Sequence, residues 1–161
     1  MTKALRDFRH ALPLELLRAR EAAMARFRPM LREHGLTEQQ WRVIRTLADE
    51  DKIDAGELAN RSMLLAPSLT RILQFLEKEG LVRRKPDSRD QRRSVLTLTP
   101  DGRDVFLSVG PDSERCYAEI ETEFGKNQLE ELYQLLAAFY TALGRNLPEP
   151  GKNRGPGVRI D

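Results

Sequence analysis

The chain has 161 residues, of which 40% are hydrophobic and 32% are charged. These proportions allow a buried core under a well-solvated surface, and they exclude a disordered or collagen-like chain. No apolar run approaches the ~20 residues that span a bilayer, and we expect no signal peptide because no apolar stretch follows the charges at the amino terminus. The single cysteine, Cys116, cannot form an intrachain disulfide, so we expect a cytoplasmic protein.

The net charge of +2 is small, but the charge is unevenly distributed. Residues 83–93 read RRKPDSRDQRR, which contains six basic and two acidic side chains. A single basic segment on a mixed background indicates a polyanionic partner that is contacted locally.

The first half of the chain reads as a series of helices. Residues 14–34 carry an apolar stripe of helical period, in which Pro29 is expected to kink or interrupt the helix. Thr37 to Gln40 and Asp54 to Glu57 have the spacing of capping boxes that open two further helices. Pro67 suits the first turn of a fourth helix, which ends at Gly80.

The second half begins with two strand-like runs, 81–85 and 94–98, on either side of the basic segment. Thr99 and Pro100 then cap a long helix, and Asn127 is expected to start the last one. Residues 145–161 are rich in proline and glycine and are expected to be disordered. The fold class is therefore mainly α with a small β-hairpin, in the order of a winged helix-turn-helix.

The helix over residues 67–79 has an apolar face that suits a core and an opposite polar face. Serine, threonine, arginine and glutamine are the side chains that contact base edges and phosphates. The helix could instead be an ordinary amphipathic surface helix. The opposite face carries Ser68, Arg71, Gln74 or Phe75, and Lys78, with Thr70 beside them near the amino end.

The loop between the two strands contains arginines next to carboxylates that can orient a guanidinium. Such an arginine suits a narrow minor groove, where the negative potential is deepest. A solvated turn is the alternative, but it does not account for six cations in one segment. The helix and the hairpin together favour a DNA-binding protein.

The stretch from Asp87 to Gly102 resembles the wing pattern of the MarR family, D-x-R-D-x-R followed by L-T-x-x-G. The resemblance extends over residues 14–143. Within the family, the segments 20–24, 27–29, 36–42 and 67–70 resemble the branch that represses 4-hydroxyphenylacetate (homoprotocatechuate) degradation operons.

This resemblance implies a homodimer with two winged lobes on a pseudo-palindromic operator. It implies a helical dimerisation region over 1–34 and 101–144, in which the helices at about 14–34, 101–124 and 128–143 intertwine, and a DNA-binding domain over 35–100. Arg89 would enter the minor groove, oriented by Asp87. The residues expected to contact DNA are Pro67, Ser68, Thr70, Arg71, Gln74, Asp87, Arg89, Arg92 and Arg93.

The resemblance also implies a small aromatic acid as effector, such as 4-hydroxyphenylacetate or 3,4-dihydroxyphenylacetate. Such a ligand needs an apolar slot and a cation for its carboxylate. The candidate pocket consists of Arg20, Met24, Phe27, Arg28 and Trp41. These apolar side chains could equally be core residues, and the arginines could be members of surface ion pairs.

No catalytic motif, cofactor motif or metal site is legible, and we expect no enzyme. His10 and His34 are too far apart to suggest a metal site and are expected at the surface. Two alternatives remain open. The first is a redox-responsive regulator that uses Cys116, although a buried thiol is expected there. The second is a winged-helix module that binds another protein.

Overall fold

A computed structural model describes residues 11–50, 52–88, 90–91 and 93–144. The tail predicted over 145–161 lies outside the described residues. His10, Arg89 and Arg92 lie outside them as well, so the wing arginine remains a prediction from sequence.

The described residues form six helices and three short strands. Six helices and two of the strands follow the predicted order, and the third strand was not predicted. That strand, β1, precedes the third helix. The elements are α1 (Leu12–Glu33), α2 (Glu38–Asp49), β1 (Ile53–Asp54), α3 (Ala55–Arg61), α4 (Ala66–Lys78), β2 (Val82–Pro86), β3 (Ser94–Leu98), α5 (Pro100–Phe124) and α6 (Lys126–Ala142).

Side-chain caps start several of these helices where the sequence predicts them. Thr37 Oγ1 accepts a hydrogen bond from Gln40 N at 3.1 Å, and the Gln40 side chain accepts one from Thr37 N at 2.9 Å, which completes a capping box. Asp54 caps α3 alone, since the Glu57 carboxylate accepts from Arg61 Nε instead.

Two helix predictions need correction. Helix α1 continues through Pro29, so of the predicted kink or interruption the interruption does not occur. The residues that follow the proline, Met30 and Leu31, are buried in the core, and this packing stabilises the helix although one backbone hydrogen bond is lost. Helix α6 starts at Lys126 rather than Asn127, because Gly125 at φ +102° is both the C-cap of α5 and the N-cap of α6.

The strands form one antiparallel sheet in the order β1–β3–β2. Val82 pairs with Leu98 and Pro86 with Ser94, which makes β2 and β3 the predicted hairpin. On the other side of β3, Ile53 pairs with Leu96 and Asp54 with Val95. A strand of two residues is too short to show an alternating pattern, so sequence alone does not reveal β1.

The core fills the space between the helix-turn-helix, the sheet, the carboxyl-terminal part of α1 and the middle of α5. The predicted apolar face of α4 lies in this core. The most buried side chains of the core are Leu31, Val43, Ile44, Leu47, Leu58, Leu73, Leu76, Leu96 and Val109.

No described helix is long and apolar enough to cross a membrane.

Candidate functional site

Helix α4 presents its polar residues outward, as the sequence predicts. Pro67, Thr70, Arg71 and Gln74 are exposed and Ser68 is half-buried. The Thr70 hydroxyl donates to Ala66 O at 2.9 Å, which leaves its lone pairs free to accept from a ligand. Arg71 has no carboxylate within salt-bridge distance among the described residues. This face can therefore offer donors and acceptors to a nucleic acid.

The turn between α3 and α4 contributes two exposed apolar side chains that the sequence did not single out. Met63 has a φ of +51°, which is unusual for a residue with a side chain, and it is 57% exposed. Leu65, at the N-cap of α4, is 78% exposed. Both side chains adjoin the end of the helix that would enter a groove.

The wing places its cations on an exposed surface. Arg83, Arg84 and Lys85 of β2 are exposed, and the guanidinium of Arg84 pairs with Glu77 of α4 at 3.0 Å. In the loop, Asp87 Oδ1 accepts a hydrogen bond from Asp90 N at 3.3 Å. The Asp87 carboxylate therefore stabilises the turn between Asp87 and Asp90, the segment of the sequence that contains Arg89.

Arg93, the last cation of the loop, contacts the helix-turn-helix. Its Nη2 donates to Asp54 Oδ2 at 2.5 Å. The hydrogen bond from Glu57 N lowers the pKa of Asp54, and the bond from Arg93 lowers it further, whereas burial acts against both. Asp54 is therefore an ionised partner of Arg93 at neutral pH.

Arg20 and Arg28, the predicted cations of the effector pocket, are both engaged by carboxylates. The guanidinium of Arg28 donates to both oxygens of Glu21, at 2.7 and 2.9 Å, and to Glu38 at 3.0 Å. Arg20 pairs with the same two carboxylates. An effector carboxylate at this position would compete with Glu21 and Glu38.

The acidic partners in this network are held in their charged form. The hydrogen bond from Arg28 lowers the pKa of Glu21. Burial acts to raise the pKa of Glu38, but the hydrogen bonds from Arg20 and Arg28 outweigh it, and the pKa lies below its ordinary value.

The predicted apolar residues of the pocket belong to the core shared by α1, α2 and α5, where the two aromatics form separate ring pairs whose partners lie eleven residues apart on α5. Phe27 packs edge-to-face on Tyr117 with ring centroids 4.9 Å apart. Trp41 stacks on Phe106 at 5.8 Å. Both predicted aromatics are buried, and Met24 is partly buried against the same core. A ligand at this junction would have to enter beside rings that already contact one another.

The sequence reasoning missed two residues that contact each other beside Phe27, namely Arg45 and Tyr117. Arg45 Nη1 donates to the Tyr117 hydroxyl at 3.3 Å, and its guanidinium carbon lies 5.9 Å from the ring centroid. Within the described parts of the chain, Arg45 has no carboxylate partner at salt-bridge distance. Arg45 follows Trp41 by four residues, which places both on one helix face. Tyr117 comes from a distant helix, so no local signal pointed to it.

The remaining candidate groups have structural surroundings. Cys116 is buried and its thiol lies 3.5 Å from the Arg26 carbonyl oxygen. Burial raises the pKa of Cys116, and Glu119 adds to this effect. His34 is half-buried rather than at the surface as expected, because its Nε2 contacts Asp112 Oδ2 at 2.7 Å. No cluster with metal-ligand composition occurs in the described ranges.

Comparison with known proteins supports the winged-helix assignment. Residues 36–94 match the MarR family model. The chain is 42% identical over 145 residues to the homoprotocatechuate degradative operon repressor of Escherichia coli, covering 89% of this chain and 97% of that protein. It is 44% identical over 130 residues to the transcriptional regulator FarR of Neisseria gonorrhoeae, covering 80% and 89%.

A solved structure extends the likeness to three dimensions. The crystal structure of NadR in complex with 4-hydroxyphenylacetate superposes with a TM-score of 0.73 at 40% sequence identity, and the match covers 86% of this chain and 97% of that one. This chain therefore belongs to the MarR family of winged-helix transcriptional regulators.

Proposed function

We propose that the protein is a sequence-specific DNA-binding repressor of an aromatic-acid catabolic operon, which a phenolic carboxylate releases from its operator. The observation that carries the proposal is the position of the polar face of α4 beside the basic hairpin, in a chain with an arginine next to an aromatic junction. The 42% identity to a homoprotocatechuate operon repressor and the likeness to NadR bound to 4-hydroxyphenylacetate support it.

Two parts of the winged lobe (residues 35–100) would contact DNA, namely helix α4 and the wing formed by β2, β3 and the loop between them. The amino-terminal turn of α4 would place Ser68, Thr70 and Arg71 at base edges in the major groove, while the wing would place Arg89 in the adjacent minor groove. Two such lobes in a homodimer would hold their recognition helices about 34 Å apart, in successive major grooves.

The effector would bind at the junction of α1, α2 and α5. Of the arginines near the aromatic rings, Arg20 and Arg28 already bind Glu21 and Glu38, whereas Arg45 contacts only the Tyr117 hydroxyl and ring among the described groups. We therefore assign the effector carboxylate to Arg45 and Tyr117, with Trp41 and Phe27 as apolar walls. This revises the predicted pocket in its cation and keeps its aromatic residues.

Release from DNA would follow from a difference in affinity between two conformations. DNA selects the spacing of the two lobes that suits successive grooves, and an effector between the dimer helices and the lobe favours another spacing. The effector shifts the equilibrium only as far as its affinities for the two states differ.

Fluorescence of Trp41, the single tryptophan, tests the effector site directly during titration with 4-hydroxyphenylacetate. Loss of a charge-assisted hydrogen bond should raise the dissociation constant by roughly 10- to 100-fold in Arg45→Gln. Arg26→Gln, which removes an exposed arginine paired with Glu123, should bind as wild type does. Absence of wild-type binding at millimolar ligand would refute the effector class. Full binding by Arg45→Gln would refute only its assignment as the carboxylate partner.

Operator selection from random DNA tests the recognition assignment. Arg71→Ala should change base preference at one position by about 1–3 kcal/mol and leave affinity for random DNA nearly unchanged. Arg89→Ala should weaken all sequences and lower the salt dependence by roughly one unit of slope. Uniform weakening by Arg71→Ala would place that side chain on the phosphate backbone instead.

A further inference from the structure

The Asp54 carboxylate uses both of its oxygens to hold two different elements. Oδ1 accepts from Glu57 N at 2.9 Å and so caps the amino terminus of α3. Oδ2 accepts from Arg93 Nη2 at 2.5 Å and so reaches the base of the wing loop. One side chain therefore connects the helix-turn-helix to the wing.

Arg93 is the residue at which the wing loop closes. Its carbonyl oxygen accepts from Asp87 N at 2.8 Å, and its own N–H donates to Asp90 O at 2.9 Å. The pairing of Asp54 with Val95 across β1 and β3 brings the Arg93 side chain within reach of the α3 cap. The loop that carries Arg89 is therefore closed through the backbone of Arg93 and tied down through its side chain.

We propose that Asp54 and Arg93 form a clamp that fixes the wing relative to the recognition helix, and that Arg93 is a positioning residue rather than a DNA contact. This inference rests on the proposed DNA-binding function. It differs from the prediction from sequence, in which Arg93 belonged to the cations that touch DNA.

The effect of the clamp belongs to DNA binding more than to folding. Arg93 is 64% exposed on its side chain, and an exposed ion pair contributes little to folding stability. Two elements that must reach adjacent grooves together benefit from a fixed relative position, because less conformational freedom is lost on binding. Lys52 and Asp87 line the same cleft as the pair.

Two single variants and their combination test the clamp on operator DNA. Asp54→Asn keeps a good helix cap and removes the charge that binds Arg93, while Arg93→Gln removes the other partner. We expect each to weaken binding about fivefold per lobe, or roughly 25-fold for a dimer on both half-sites, and the double variant to be no weaker than either single one. Asp49→Asn removes a nearby exposed charge and should leave the affinity at the wild-type value.

The two roles of Arg93 predict opposite signs for Asp54→Asn. If Arg93 contacted phosphate and Asp54 merely competed for it, loss of the carboxylate would tighten binding. Arg93→Gln alone would then weaken binding and lower the salt slope by about one. That pattern would overturn the proposal, as would wild-type affinity in both single variants.

A measurement without DNA separates this inference from the proposed function. Amide hydrogen exchange should be faster in Asp54→Asn than in wild type at Asp87 and Arg93, whose N–H groups close the loop. Unchanged exchange at these amides would overturn the clamp even if operator binding were normal. Failure of the wild type to bind any DNA would refute the proposed function, and the clamp's role in binding with it, whereas the exchange rates report on the loop independently.

Discussion

Most leucines of the winged lobe (α2 to β3) are buried, whereas many leucines of the terminal helices (α1, α5 and α6) are exposed. In the lobe, Leu58, Leu76 and Leu96 are fully buried, because three helices and the sheet enclose them. In α6, by contrast, Leu135 is 68% exposed. The other exposed apolar side chains of the terminal helices are Leu12, Leu16, Leu17, Leu107, Phe124, Leu132, Tyr133 and Leu143.

This difference indicates which part of the chain is complete by itself. The lobe buries most of its apolar residues, with Met63, Leu65 and Phe75 as exposed exceptions. Among the described residues, no further layer covers the apolar stripe of the terminal helices. Large exposed apolar patches mark surfaces that bind other proteins. The terminal helices therefore support the proposed homodimer, and the lobe supports a unit that such a dimer carries.

The largest expected effect comes from Gly102, where α5 leaves the lobe. A Cβ at this position would collide with the Leu81 carbonyl oxygen and lie 3.1 Å from Leu98 Cδ2. Backbone cannot yield as a flexible side chain does, so Gly102→Ala should lower the free energy of unfolding by about 3 kcal/mol. Chemical denaturation with urea measures the change.

Gly110, eight residues further along α5, is the matched control. A Cβ there meets no atom within 4 Å beyond the adjacent residues and the helix's own backbone, so Gly110→Ala should change the free energy of unfolding by less than about 1 kcal/mol, with the helix propensity of alanine opposed by the following Pro111. Equal destabilisation by both substitutions would contradict the view that the start of α5 packs as part of the lobe.

The next largest effect tests the terminal helices. Leu135→Asp would place an unpaired charge in the proposed dimer interface and should weaken dimerisation by about 100-fold or more. Leu65→Asp, at a leucine of the lobe that is 78% exposed, should leave the molar mass unchanged. Sedimentation equilibrium distinguishes the two results, and a wild type that is monomeric at micromolar concentration would refute the dimer.

Cys116 tests whether the helical region contains a reactive thiol. Because burial raises its pKa above the ordinary value, the thiol stays protonated at neutral pH, and its reactivity grows only as the pH rises. Alkylation of the native protein at pH 7 should be at least ~10-fold slower than alkylation of the unfolded chain. Rapid native alkylation with loss of DNA binding would instead favour the redox-responsive alternative.

The smallest effect is expected at Met63, in the turn of the lobe. Its left-handed backbone is unfavourable for a residue with a Cβ, and its exposed side chain adds little to the core. Met63→Gly should raise the free energy of unfolding by about 0.5–1 kcal/mol, since glycine adopts this conformation without steric penalty. Asn60→Gly, inside α3, should change stability by a similar amount in the opposite direction.

Local patterns sufficed for most of the fold. The period of the apolar residues located the helices, Thr37, Asp54 and Thr99 marked three of their starts, and the basic segment located the hairpin. These signals are readable because a helix cap or an apolar stripe involves residues only a few positions apart. The polar face of α4 follows from the same periodicity, which is why the exposure of its polar side chains could be predicted.

Tertiary structure decided the features that depend on distant residues. The partners of Arg20 and Arg28, the contact of Arg45 with Tyr117 and the bond from Arg93 to Asp54 each join elements that the chain order does not place together. An arginine in sequence shows a charge but not the carboxylate or ring that it meets. The sequence by itself therefore determined the six helices, the hairpin and the family, but not β1. Only the packing decided which cations remain for a ligand, because ion pairing depends on distances of a few ångströms across the folded chain.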